Sequence, residues 1–223
     1  MLPSQTVENY LKTIYLAQAE MTSADELVPM GHLATALGVV PGTATTMVKA
    51  LSESGLVKYE PYMGVRLTPA GEKLASLVSR RHRLLELFLV KIVGMSWAEV
   101  HDEAERLEHA VSERLIDRID EMLGRPEVDP HGDPIPTAEG TIAQRQYLDL
   151  LTAPLATPVV VTRVLDQDAA FLRFLEQHHL TPGSELVVES RDAAAEAVRL
   201  RGAGDAVTTV GWRAASRIQV RTR

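Results

Sequence analysis

Along the first third of the chain, apolar positions recur at helical spacing and then give way to short strand-like runs. Val7, Leu11, Ile14 and Tyr15 mark one helix, and Leu33, Ala34 and Leu37 mark a second that stops at Gly38. In PGTATTMVKALSESG, Pro41 suits a first helical turn, Ala44, Met47, Val48 and Leu51 share one side, and Gly55 ends the run. Two short helices joined by the tight turn GVVPG read as a helix-turn-helix. GLVKYE and GVRLT, joined by PYMG, form a two-stranded hairpin in the position of a wing. In a winged helix-turn-helix the helix opened by Pro41 is the recognition helix. Pro41, Thr43, Thr45, Thr46 and Lys49, with the wing residues Tyr59, Tyr62 and Arg66, are therefore the candidate DNA contacts.

Thr68 and Pro69 have the form of an N-cap and first-turn pair opening a long helix through Leu74, Leu77, Val78, Leu84, Leu85, Leu87 and Phe88. A second long helix is expected from Ser96 or Trp97 to Leu123, stopped by Gly124 and Pro126. This pair carries more apolar surface than one winged helix covers, which predicts a homodimer joined through these helices. RPEVDPHGDPIPTAEG is dense in Pro and Gly and reads as a linker-like loop closing the first part of the chain. From Thr157 onward VVVTRVL, SELVVES, EAVRLR, AVTTV and RIQV are short β-rich runs, interrupted by the helical DAAFLRFLEQHHL. A small antiparallel barrel is the simplest reading. The fold class is mainly α with small β parts, divided as 1–74 winged helix-turn-helix, 75–140 helical domain, 141–156 linker and 157–223 barrel.

Composition narrows the chemistry. The 223 residues are 45% hydrophobic and 24% charged, enough to bury a core and long enough for two small domains. No apolar run approaches the roughly 18 to 20 residues of a membrane span, and the N-terminus lacks the pattern of a signal peptide, so a cytoplasmic protein is expected. Cysteine is absent, which excludes disulfides, iron–sulfur clusters and cysteine nucleophiles and leaves His, carboxylate or amide oxygen to hold any metal. The net charge of −7 argues against coating nucleic acid through bulk positive charge. Residues 1–75 hold five Lys/Arg against seven Asp/Glu, so DNA contact there relies on local positives, helix N-termini and hydroxyls.

The candidate chemistry sits in RRHRLLELF and WAEVHDEAERLEHAVSERL. At about 100° per residue, His101, Glu105, Glu108 and His109 fall on one face of the expected second helix, and His82 with Glu86 form an i, i+4 pair on the first. Val100, Ala104, Leu107 and Val111 make the adjoining apolar stripe, so the polar stripe flanks the core. Single residues of this kind are ordinarily solvated charges; three His and three Glu in register across two helices point to a metal. Imidazole and carboxylate without thiolate suit Mn²⁺ or Fe²⁺ and do not exclude Zn²⁺, Co²⁺ or Ni²⁺. No HExxH, GxSxG, Walker A or GxGxxG sequence supports a reaction, so a non-enzyme is expected. The alternatives are a metalloenzyme using the same cluster and a winged-helix scaffold that binds proteins.

VENYLKTIY, RHRLLE, VHDEAERLEH and DPHGDPIP, in this order, resemble the diphtheria toxin repressor family of iron- and manganese-dependent transcriptional regulators. The resemblance covers the whole chain. It implies a metal-dependent repressor that controls metal homeostasis genes by binding a palindromic double-stranded operator as a dimer. It also implies a C-terminal SH3-like, FeoA-like domain and two metal sites per chain. Asn9, Glu105, Glu108 and His109 then fall at the activating site, and His82, Glu86, His101 and Asp168 at the ancillary site. Manganese-dependent members carry Glu and iron-dependent ones Cys where this chain has Glu105, which tilts the expectation to Mn²⁺ over Fe²⁺. Asn9 stands where Met or Asp is usual, and Phe171 where a Gln ligand is usual. Asp168 fits equally well as a helix N-cap.

Overall fold

The computed structural model describes residues 4–19, 21, 23, 26–142 and 146–223, which divide into two compact units. The first holds residues up to His82 together with Pro136–Ile142; the second holds Arg83–Ile135 and the chain from Ala143 on.

The first unit is the winged helix-turn-helix. Its helices are α1 (Gln5–Ala19), α2 (Met30–Ala36) and α3 (Pro41–Glu53), and the wing is β1 (Val57–Glu60) paired antiparallel with β2 (Gly64–Leu67). α2 ends where Gly38 adopts φ 64°, with Gly38 N–H donating to Thr35 O and Val39 N–H to Ala34 O. This double closure satisfies carbonyls the helix leaves open and turns the chain directly into α3, whose first residue is Pro41. Leu11, Ile14, Leu33, Val48, Leu51 and Val65 are buried together, so the periodic positions are the core positions. A bridge between Val28 and Val65 adds a third short segment to the wing. Thr68 Oγ1 accepts from Gly71 N–H at 3.2 Å, capping α4 (Pro69–Phe88) at its start.

In the second unit the end of α4 runs into a π-helical turn, Leu89–Val93, closed by Gly94 at φ 82°. The expected second long helix is two helices, α5 (Val100–Leu107) and α6 (Glu113–Met122). Ser112 divides them: its backbone is extended and its side chain accepts from Leu115 N–H, so it begins a new helix instead of continuing the old one. Leu84, Leu85, Val100, Ala104, Ile116 and Ile119 share one core.

The rest of this unit is the small β fold: β3 (Leu148–Asp149), β4 (Pro158–Val164), β5 (Glu185–Asp192), β6 (Ala197–Gly202), β7 (Val207–Gly211) and β8 (Ile218–Thr222). The strands are antiparallel in the order β3-β8-β4-β5-β6-β7, with register shifts between Val161 and Arg163 and between Val188 and Ser190. α7 (Ala169–Gln177) connects β4 to β5, and the short α8 (Trp212–Ala215) connects β7 to β8. Within 141–156, residues 143–145 lie outside the described residues, whereas Leu148 and Asp149 pair with β8 and Leu150 and Ala153 are buried in the β core. Among the described residues no helix is long and apolar enough to cross a membrane.

Candidate metal centre

In the first unit, α1 turns Glu8 and Lys12 inward with the apolar positions. Glu8 accepts from Arg81 Nη2 at 2.6 Å with both side chains buried, and Lys12 Nζ lies 3.4 Å from His82 Nδ1. Arg80 donates to Pro136 O at 3.0 Å, which ties residues 136–142 to α4. Asn9 is half-buried beside this pair. Its Oδ1 is fully shielded yet accepts no hydrogen bond among the described residues, an expensive state for an amide oxygen.

The candidate DNA contacts divide. Pro41, Thr43, Thr46 and Lys49 are exposed along α3 and Thr45 is half-buried. The Thr45 and Thr46 hydroxyls donate to Pro41 O at 2.9 Å and Gly42 O at 3.0 Å, which leaves their oxygens to accept. At the wing tip Tyr62 is wholly exposed at φ 67°, while Arg66 lines a small cleft with Glu26 and Glu60. Tyr59, expected as a wing contact, is half-buried against the core of the unit because the alternation of β1 turns it inward.

In the second unit the His/Glu segment does not lie on one helix. His101 and Glu105 belong to α5, Glu108 is its C-cap residue and His109 follows in a turn. Even so, the structure brings several of them together. Glu86, fully buried on α4, has Oε1 3.2 Å from His101 Nδ1; His101 Nε2 lies 3.9 Å from Glu105; and buried Glu108 lies 3.3 Å from His109 Nε2. His82, which closes the first unit's share of α4, precedes Glu86 by one helical turn in sequence. Asp168 is not placed with them: it is exposed, and its side chain accepts from Phe171 N–H at 3.0 Å as the N-cap of α7.

Sequence reasoning missed a second polar cluster. The loop expected as a linker holds Asp129, His131 and Asp133, all buried. Asp129 Oδ1 accepts from His131 N–H at 2.8 Å and Asp133 N–H at 3.0 Å, an Asx-type turn closed by Gly132 at φ 88°. A Cβ at Gly132 would overlap the carbonyl oxygen of Thr162 on β4. His131 stacks on Trp97 with ring centroids 5.5 Å apart, and Arg163 with Gln167 hold the Asp133 carboxylate. Burial pushes the Asp129 carboxyl up to about 8, with Asp133 and Glu86 adding to the shift. Burial works against charge on His131, but Glu86, Asp129 and the Trp97 carbonyl outweigh it and raise the ring to about 8. The only signal in the sequence was the motif DPHGDPIP itself, whose composition is that of an exposed loop.

Imidazole and carboxylate donors without thiolate suit a hard or borderline divalent cation, and the unsatisfied Asn9 oxygen is a neutral donor of the same class.

Family models match the chain domain by domain. Residues 3–65 match the family described as iron dependent repressor, N-terminal DNA binding domain, and residues 68–137 the iron dependent repressor, metal binding and dimerisation domain. Residues 148–222 match the FeoA domain. The chain is 30% identical to the iron-dependent repressor IdeR of Mycobacterium leprae, covering 84% of this chain and 85% of that protein. It is 36% identical to the HTH-type transcriptional regulator MntR of Lysinibacillus sphaericus, over 58% of this chain and 89% of that protein. A solved manganese-dependent transcriptional repressor in complex with manganese superposes with a TM-score of 0.88 at 39% identity, over 97% of this chain and 100% of that one. A winged helix, a buried His/Glu cluster and a FeoA fold in this order place the chain in the diphtheria toxin repressor family, whose members are metal-dependent transcriptional repressors and not enzymes.

Proposed function

We propose that this chain is a manganese-responsive, cytoplasmic repressor of metal homeostasis genes that binds a palindromic operator as a homodimer. The observation that carries the reading is the shielded, unsatisfied Oδ1 of Asn9 on α1, the helix that opens the DNA-binding unit. Asn9, Glu105, Glu108 and His109 form the activating site, and His82, Glu86 and His101 the ancillary one. Asp168 is assigned to capping α7, the role its hydrogen bond supports. Glu105 supplies a carboxylate where a thiolate would favour Fe²⁺, and the 39%-identical repressor solved with manganese supports the same preference.

When bound, the ion would supply a positive charge that offsets the buried carboxylate of Glu108. Asn9 would contribute one neutral oxygen from α1. The Glu8–Arg81 ion pair holds α1 on α4. α3 then presents Thr43, Thr46 and Lys49 to the major groove, with Pro41 and Thr45 beside them. Tyr62 and Arg66 reach the backbone or minor groove from the wing, and Tyr59 supports them from beneath. Exposed Leu115 and Met122 on α6 offer apolar surface for a symmetric partner. The domains follow as 1–74, 75–140 and 157–223, with 141–156 between the last two.

Selection of genomic fragments by the full chain with and without Mn²⁺ tests the reading. Fragments are expected to be retained only with Mn²⁺, and retention is expected to be lost in Glu108→Ala. Retention independent of Mn²⁺, or unchanged in Glu108→Ala, overturns it.

A further inference from the structure

We propose that Lys12 is an internal cation that competes with the metal for the His82 ring and so sets how much Mn²⁺ the ancillary site needs before it fills. The inference rests on the reading of His82 as a metal ligand and adds a residue that opposes binding there. Lys12 stands on α1 and His82 on α4, both inside the first unit and both buried, with Lys12 Nζ 3.4 Å from His82 Nδ1.

The chemistry of the two groups fixes the protons. An ammonium has three donors and no acceptor, so Nζ donates and Nδ1 offers its lone pair. A neutral imidazole holds one ring proton, which then sits on Nε2. The adjacent positive charge disfavours a second proton on the ring, so the metal-free arrangement is the neutral Nε2–H tautomer.

A metal binds a ring nitrogen only through a free lone pair. Ligation through Nδ1 takes the lone pair that Lys12 uses and drives the ammonium away. Ligation through Nε2 moves the ring proton to Nδ1, where it would point at the Nζ donors. Either route gives up the Lys12–His82 hydrogen bond, and an ammonium left in place repels the divalent charge. Burial strengthens both effects, because little water stands by to screen the charges or to replace the lost bond. The flexible four-carbon stem of lysine lets the head group withdraw without a shift of the backbone. Lys12 thus opposes metal at His82 without being a ligand itself.

Long-range proton–nitrogen correlation spectra of the metal-free full chain, with His82 assigned by comparison with His82→Ala, test the tautomer. The Nε2–H form is expected; an Nδ1–H form or a doubly protonated ring overturns the proposal. Calorimetric titration of the full chain with Mn²⁺ tests the competition. His82→Ala is expected to bind one Mn²⁺ fewer per chain. For that same ion, Lys12→Met is expected to tighten binding by about tenfold, the effect of removing one charge-assisted hydrogen bond from the metal-free state. Lys12→Arg, which keeps a charged donor, is expected to bind it as the natural sequence does. Adding Lys12→Met to His82→Ala is expected to change nothing further. If His82→Ala loses its ion while Lys12→Met leaves the affinity unchanged, the competition is overturned and His82 stands as a ligand. An unchanged Mn²⁺ count in His82→Ala overturns both. If Lys12→Met does not fold, the tautomer in the natural chain decides.

Discussion

Two polar clusters of the second unit use the same donors and treat them differently. In the first, the side chains of His101 and Glu105 are 43% and 38% exposed on α5. In the second, His131 and Asp129 are at 0% and 1% exposure in a loop locked by Gly132, Trp97 and Arg163. The first stands open to solvent and the second is closed from it. Ligands on the flank of an amphipathic helix stay reachable because the core lies to one side of them. Side chains in a buried loop are reachable only if the loop opens, and their polar atoms must be satisfied from within.

The largest expected difference between the clusters is in stability. Gly132→Ala places a Cβ against Thr162 O at a backbone conformation L residues avoid, and is expected to cost about 3 kcal/mol in denaturant unfolding. A loss below about 1 kcal/mol would show that the loop is not locked. His131→Ala, which removes the Trp97 stack and a buried hydrogen bond, is expected to cost about 2–3 kcal/mol, whereas His101→Ala is expected to stay within about 1 kcal/mol. Equal losses would erase the difference between the two clusters. Ser112→Ala removes the N-cap of α6 and is expected to cost about 1 kcal/mol without changing the number of Mn²⁺ bound per chain; a change in that number would place the cap within the metal machinery.

The same comparison explains what was legible in the sequence. Periodicity found α1 to α4 and the wing because their apolar residues face one core, and a winged helix needs little else. It found His101, Glu105, Glu108 and His109 as a cluster for the wrong local reason. The pattern Leu107, Val111 continues the helical spacing through a turn, and only the capping bond of Ser112 reveals the break. The loop 129–133 was illegible because its order comes from partners remote in sequence: Trp97 lies 34 residues before His131, and Arg163 lies 30 after Asp133. Pro and Gly there serve a tight buried turn, yet the same composition describes a solvated linker. Asp168 was undecided between ligand and cap, and its hydrogen bond to Phe171 N–H supports the cap.

Under the proposed function, metal and operator bind one arrangement of this chain in preference to another. Reciprocity tests it most directly: Mn²⁺ is titrated into the full chain by calorimetry, alone and with a duplex carrying a retained fragment. Operator DNA is predicted to tighten Mn²⁺ binding by the same factor by which Mn²⁺ tightens operator binding, about 5- to 150-fold for coupling of this kind. An Mn²⁺ affinity that does not change when the operator is present would contradict the account.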